Sequence, residues 1–110
     1  MDKPILVWAD DDSPMAKSHL LRLLTEDFDV RAVSSGRGAL KIIERLIGEG
    51  KTAILLTDLK MSGMDGIELL QALRDRNISL PTVVLSGANN ISDELKNADV
   101  SANEIMQKGL

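Results

Sequence analysis

Runs of apolar residues alternate along the chain with segments in which apolar residues recur every three or four positions. The runs have strand length, and several are apolar throughout, as in strands buried on both faces of a parallel sheet. The pattern predicts five strands, over residues 4–9, 29–33, 52–58, 80–87 and 103–110. It predicts four helices between them, over residues 14–28, 36–50, 67–76 and 88–98.

Each predicted helix carries its apolar residues on one face, which we expect to pack against the sheet. These positions are 20, 21, 24 and 28 in the first helix, 39, 40, 43, 46 and 47 in the second, 67, 70 and 73 with 69 as a further candidate in the third, and 91, 95 and 98 in the fourth. Ser13 before Pro14, and Ser35, are suited to cap the first two helices. Asp65 is better placed than Asp58 to cap the third.

Strict alternation of strands and helices predicts an α/β fold. In such folds the strands are parallel, the crossovers are right-handed and helices cover both faces of the sheet, which makes it doubly wound. Ligands then bind beyond the carboxyl ends of the strands, where the strand order reverses. Candidate functional residues are therefore sought at the strand ends.

Composition limits the possible functions. A chain of 110 residues with 44% hydrophobic residues suits one globular domain, and Trp8 is expected in its core. The net charge of −4 and the lack of a basic stripe argue against direct nucleic-acid binding. The absence of cysteine excludes disulfides and suits a cytoplasmic location. No apolar run is long enough to span a membrane.

Chemically active side chains follow several predicted strands. Asp10, Asp11 and Asp12 follow the first strand and Asp58 ends the third, whereas Ser86 and Lys108 lie at the ends of the fourth and fifth. Carboxylates without nearby histidine or cysteine favour a hard cation such as Mg²⁺. A hydroxyl and a lysine can hold phosphoryl oxygens, and an aspartate can serve as the nucleophile. The set is typical of a phosphoryl-transfer site.

The chain resembles the receiver domains of two-component response regulators over essentially its whole length. The resemblance is carried by the segments ILVWADDDSPM, ILLTDLKMSGMDGIELL, PTVVLSG and SANEIMQKG, which occur in the family's order and at suitable intervals. It implies a flavodoxin-like, five-stranded parallel sheet with strand order 2-1-3-4-5.

The resemblance also implies a role for each matching residue. Asp58 would be the phosphoacceptor, and Ser86 and Lys108 would contact the phosphoryl group. Asp11 would bind Mg²⁺ directly, and Asp10 would bind it directly or through water. Lys60 would bind the metal through its backbone carbonyl. Asp12 matches no family role and is expected to be a solvated loop residue.

The implied function is Mg²⁺-dependent transfer of a phosphoryl group to Asp58 from a histidine kinase or phosphotransfer protein. Modification would switch a surface that binds a downstream effector or output domain. Such a domain modifies and dephosphorylates itself and is not an enzyme acting on other substrates.

Three residues depart from the family pattern. Ile105 stands where many receivers have Tyr or Phe, Gly109 where a proline normally follows the lysine, and Ser62 where a proline is common. The segment 1–110 is expected to form one receiver domain cut short before the family's fifth helix. We expect that either the chain is a shortened piece of a longer protein, or a partner or a second copy of the chain covers the sheet face left bare.

Two alternatives remain open. A pseudo-receiver would keep the fold and act as an interaction or dimerisation module without productive phosphorylation. Ile105, Gly109 and the missing fifth helix favour it, whereas the intact set of Asp11, Asp58 and Lys108 opposes it. A small aspartyl-phosphate phosphohydrolase would need an acid two residues after the nucleophile, where this chain has Lys60.

Overall fold

The structure is a computed structural model that describes residues 3–11, 18–86 and 91–107, with the backbone alone for residues 18–20, 86 and 107. Among these residues, five strands form one sheet. They are β1 (Ile5–Ala9), β2 (Asp29–Val33), β3 (Ile54–Asp58), β4 (Thr82–Ser86) and β5 (Glu104–Gln107). All neighbouring strands pair in parallel, in the order β2-β1-β3-β4-β5. The predicted strand order and doubly wound α/β fold are confirmed.

Within the described part of the chain, four helices connect successive strands. They are α1 (Ser18–Asp27), α2 (Gly36–Gly48), α3 (Gly66–Asp75) and α4 (Ile91–Asn97). Ser35 caps α2 as predicted, since its hydroxyl oxygen accepts a hydrogen bond of 3.0 Å from the N–H of Gly38. The predicted cap at Ser13–Pro14 lies outside the described residues. Of the helices described, none combines the length and apolar character needed to cross a lipid bilayer.

The larger part of the core lies between the sheet and the helices α2, α3 and α4. Val7 and Ala9 of β1 point to this side, together with Leu55 of β3 and Val84 of β4. The buried helix residues are Ala39, Leu40, Ile43, Leu46, Leu69, Leu70, Leu73, Ile91 and Leu95. These confirm most of the predicted inward positions, and Leu69, only a further candidate in the sequence, is fully buried.

One predicted inward position is wrong. Ile47 was placed on the buried face of α2, but 43% of its surface is exposed. The residue lies at the edge of the apolar face and in the last turn, since α2 ends at Gly48. The predicted fourth strand also began too early, at residue 80. The strand begins at Thr82 because Pro81 has no N–H to donate to a neighbouring strand.

A smaller cluster lies on the opposite side of the sheet. Leu6, Trp8 and Leu56 are buried there, with Leu21, Leu24 and Phe28 from α1 and its end packed partly against them. The burial of Trp8 confirms its predicted place in the core. Among the described residues, α1 is the helix that contributes to this cluster. At the far edge, Met106 of β5 remains 54% exposed.

Candidate functional site

Three carboxylates meet at the carboxyl ends of β1 and β3. Asp10 and Asp11 directly follow β1, and Asp58 is the last residue of the adjacent parallel strand β3. Each offers one oxygen, and these oxygens lie within 4.8 Å of one another. Asp10 and Asp58 are buried, whereas Asp11 is exposed. The structure therefore brings together the acids that the sequence predicted would meet.

The backbone around the two buried acids is fixed by the sheet. The N–H of Asp10 donates to the carbonyl of Val33 at 3.0 Å, which extends the pairing of β1 with β2 by one residue. The N–H of Leu59 donates to the carbonyl of Leu85 at 3.2 Å, one residue beyond β3. The buried hydroxyl of Thr57 donates to the carbonyl of Asp58 at 2.9 Å. Asp10 and Asp58 thus project from main chain that has little freedom to move.

This arrangement of acids is chemically suited to a hard divalent cation. Carboxylates this close repel one another, and the burial of Asp10 and Asp58 limits screening by water. A donor set made only of oxygen is the kind that Mg²⁺ and Ca²⁺ prefer. Oxygens bound to one Mg²⁺ lie at most about 4.2 Å apart, twice a bond of about 2.1 Å. The chemistry and the spacing of the three acids therefore fit a site for such an ion.

The loop between β3 and α3 reaches the exposed acid. The N–H of Ser62 donates to Oδ2 of Asp11 at 3.1 Å, and the Ser62 hydroxyl lies 3.4 Å from the same oxygen. The sequence analysis noted Ser62 only as a departure from the family pattern. No signal in the chain could have shown this contact, because it joins residues 51 positions apart through a loop of irregular structure.

Gly66 allows α3 to begin directly against the acceptor strand. A Cβ atom at Gly66 would lie 2.4 Å from the carbonyl oxygen of Asp58 and 3.0 Å from Cα of Leu59. The Gly66 N–H also donates to the carbonyl of Leu59 at 3.0 Å. Sequence reasoning missed this role. The available signal was a glycine directly after Asp65, which caps the helix as predicted.

Lys60 pairs through its side chain with a residue of α4. Its ammonium nitrogen lies 3.6 Å from a carboxylate oxygen of Glu94 on α4. This is compatible with the expectation that Lys60 would use its backbone carbonyl toward a metal, and that expectation stays a prediction. The ion pair joins the β3–α3 loop to α4.

Ser86 and Lys108 are the remaining predicted site residues. Ser86 is the last residue of β4, one position beyond Leu85, which pairs with Asp58, so its backbone lies at the same edge of the sheet as the acids. The structure describes the backbone of Ser86 and not its side chain. Lys108, together with Asp12 and Gly109, lies outside the described residues. The predicted roles of Ser86 and Lys108 therefore stay predictions.

Comparison with known protein families gives a match over nearly the whole chain. The family model described as the response regulator receiver domain matches residues 6–110. The transcriptional regulatory protein TctD of Salmonella typhimurium is 30% identical over 103 residues, which are 94% of this chain and 44% of TctD. The transcriptional regulatory protein FixJ of Rhizobium meliloti is 28% identical over 90% of this chain and 47% of FixJ. The chain thus spans less than half the length of these relatives.

Solved structures share the fold. A crystal structure of FixJ-N superposes with a TM-score of 0.79 at 26% identity and covers all of this chain and 85% of its own. The chemotaxis protein CheY4 of Vibrio cholerae superposes with a TM-score of 0.78 at 18% identity, over 98% of this chain and 88% of its own. At that identity the second likeness concerns the fold alone.

Proposed function

The chain belongs to the response regulator receiver domain family, and from that premise we propose that it accepts a phosphoryl group on Asp58 in a Mg²⁺-dependent reaction. The observation that supports this most is the gathering of Asp10, Asp11 and Asp58 within 4.8 Å at one edge of the sheet. A receiver needs an acceptor carboxylate beside a metal site, and these three residues are arranged to supply both.

In the proposed site each acid has a separate task. Asp11 and Asp10 hold the metal, the latter directly or through water, with the carbonyl of Lys60 as a further ligand. Bound there, Mg²⁺ neutralises charge on the phosphoryl oxygens. Asp58, fixed at the end of β3, directs a carboxylate oxygen at phosphorus.

The proposed reaction is an in-line displacement at phosphorus. An oxygen of Asp58 forms a bond to phosphorus as the bond between phosphorus and the imidazole nitrogen of a phosphohistidine donor breaks. The bonding electrons leave with the imidazole. Ser86 and Lys108 are proposed to hold the remaining phosphoryl oxygens, in line with the position of the Ser86 backbone at the edge of the sheet.

The partners follow from the same premise. We propose a histidine kinase or phosphotransfer protein as the donor and an effector or output domain as the target. The two relatives are named transcriptional regulators and are more than twice as long as the region they share with this chain. The reaction is self-modification, so the chain is not proposed to act on other substrates. A cytoplasmic location stays a prediction from composition and family.

Intact-mass spectrometry tests the proposal directly. Incubation with acetyl phosphate and Mg²⁺ should add one phosphoryl group to the parent protein and none to Asp58→Asn. Asp75→Asn is a suitable control, because Asp75 is exposed in the last turn of α3 and should leave labelling unchanged. A parent protein of unchanged mass, labelled neither by acetyl phosphate nor by a phosphorylated kinase, would contradict the proposal.

A pseudo-receiver is the second candidate, favoured by one observation. Ile105 stands on the edge strand β5 where many receivers carry an aromatic residue, and 37% of its surface is exposed. Beside it, Met106 is 54% exposed on the opposite face of the same strand. Such an edge suits a binding or dimerisation surface even without phosphorylation. The intact acid cluster favours the receiver with working chemistry.

A further inference from the structure

The exposed member of the acid cluster is held from another part of the chain. Asp11 follows β1 and is open to solvent, yet its Oδ2 accepts the N–H of Ser62 at 3.1 Å. The Ser62 hydroxyl approaches the same oxygen at 3.4 Å. An exposed aspartate without such a partner would be free to rotate into water, away from the other two acids.

These bonds leave Asp11 able to bind a metal. Both contacts fall on Oδ2, and an ionised carboxylate has a second oxygen with its own lone pairs. The three acids lie within 4.8 Å of one another while the contacts to Ser62 are made. Asp11 can therefore keep its hydrogen bonds to Ser62 and bind an ion at the same time.

The loop that carries Ser62 is anchored on both sides of that residue. Before it, the N–H of Leu59 is bonded to the carbonyl of Leu85. After it, the carbonyl of Met64 accepts the N–H of Gly36, the first residue of α2, at 3.2 Å. A Cβ atom on Gly36 would lie 2.5 Å from that carbonyl oxygen, so the loop packs directly on the start of α2. Ser62 is thus presented from a fixed support.

We propose that Ser62 is a positioning residue, whose backbone N–H orients the Asp11 carboxylate toward the cluster and thereby tightens Mg²⁺ binding. The proposal rests on the metal site of the proposed function. It concerns a feature particular to this chain, because the proline common in the family at this position has no N–H to donate. Hydrogen bonds to metal ligands typically change metal affinity by about 10-fold to 100-fold.

Calorimetric titration with Mg²⁺ separates the contact of the Ser62 N–H from that of its hydroxyl. It is carried out on the parent, Ser62→Pro and Ser62→Ala. Proline removes the N–H and the hydroxyl, whereas alanine removes the hydroxyl alone and is the matched control. We expect Kd for Mg²⁺ to rise by about 10-fold in Ser62→Pro and by less than about 3-fold in Ser62→Ala, because the longer hydroxyl contact is the weaker one. Circular dichroism establishes that each variant is folded.

Equal affinity of folded Ser62→Pro and parent would overturn the proposal while leaving the metal site and the phosphorylation of Asp58 intact. A parent that binds no Mg²⁺ would overturn the metal site as well. Amide hydrogen exchange of the parent gives a second test that needs no proline variant. The Ser62 amide should be protected both without Mg²⁺ and at saturation, and loss of protection on saturation would show that the bond competes with the metal.

Discussion

At the scale of single residues, two glycines allow the backbone to approach closely beside the acids. Gly66 places the start of α3 against the carbonyl of Asp58, and Gly36 does the same for α2 against the loop carbonyl of Met64. In both places a Cβ atom would meet main-chain atoms, which cannot turn aside as a side chain can. These glycines therefore set the position of the acceptor and of the loop beside it.

Replacement of Gly66 by alanine should lower the free energy of unfolding by about 2 kcal/mol, as overpacking against fixed atoms does. The added Cβ would lie 2.4 Å from the Asp58 carbonyl oxygen, so either α3 or the end of β3 must shift. Urea denaturation measures the change. Gly48→Ala is the control, because a Cβ there meets nothing within 4 Å. Equal midpoints for Gly66→Ala and the parent would show that the contact is relieved without cost.

At the scale of elements, the two aspartates around the β3–α3 loop have different roles. Asp65 accepts the N–H of Glu68 at 2.9 Å, while the Glu68 carboxylate accepts the N–H of Asp65 at 3.3 Å, which together form a capping box. Asp58 is seven residues earlier and belongs to the acid cluster. The helix cap and the proposed acceptor are therefore separate residues, as the sequence predicted.

Asp65→Ala should destabilise the protein by about 1 kcal/mol, the usual cost of losing an N-cap. Thermal denaturation measures this loss. The same variant should still be phosphorylated on Asp58 by acetyl phosphate, since Asp65 takes no part in the cluster. Loss of labelling in a folded Asp65→Ala protein would assign Asp65 to the site instead of to the helix.

The helices, the strands and the residues at the strand ends were predictable because they follow from the local pattern of apolar and polar residues. Buried apolar runs fix the parallel strands, and a parallel sheet brings the residues after β1 and at the end of β3 to one edge. Ile47 was predicted wrongly because helical periodicity does not show where a helix extends past its neighbours. The Ser62–Asp11 contact and the fit at Gly66 depend on loop geometry, which apolar patterning does not encode.

At the scale of the whole molecule, the two faces of the sheet are covered unequally. Three helices pack on one face, and among the described residues α1 covers the other near β1 and β2. Leu85 of β4 is only partly buried on that second face, and Met106 of β5 is more than half exposed. The expectation that a partner or a second copy covers this region stays a prediction.

The acid cluster also affects the stability of the whole fold. Without a cation, the charges of Asp10, Asp11 and Asp58 repel one another in the folded state and separate on unfolding. In the proposed metal site the same charges would bind a cation only in the folded state, so the ion would stabilise that state by mass action. Removing one charge should therefore raise the free energy of unfolding without a cation and lower it with one.

The central claim is that these acids share one divalent ion. Chemical denaturation tests it when the parent and Asp58→Asn are each measured with EDTA and with saturating Mg²⁺. In EDTA we predict that the variant is the more stable, because one of three neighbouring like charges has been removed. At a Mg²⁺ concentration of about 100 times Kd the parent should gain about 2.7 kcal/mol and the variant much less, so that the order reverses. A parent protein indifferent to Mg²⁺ and more stable than Asp58→Asn in EDTA would contradict the account.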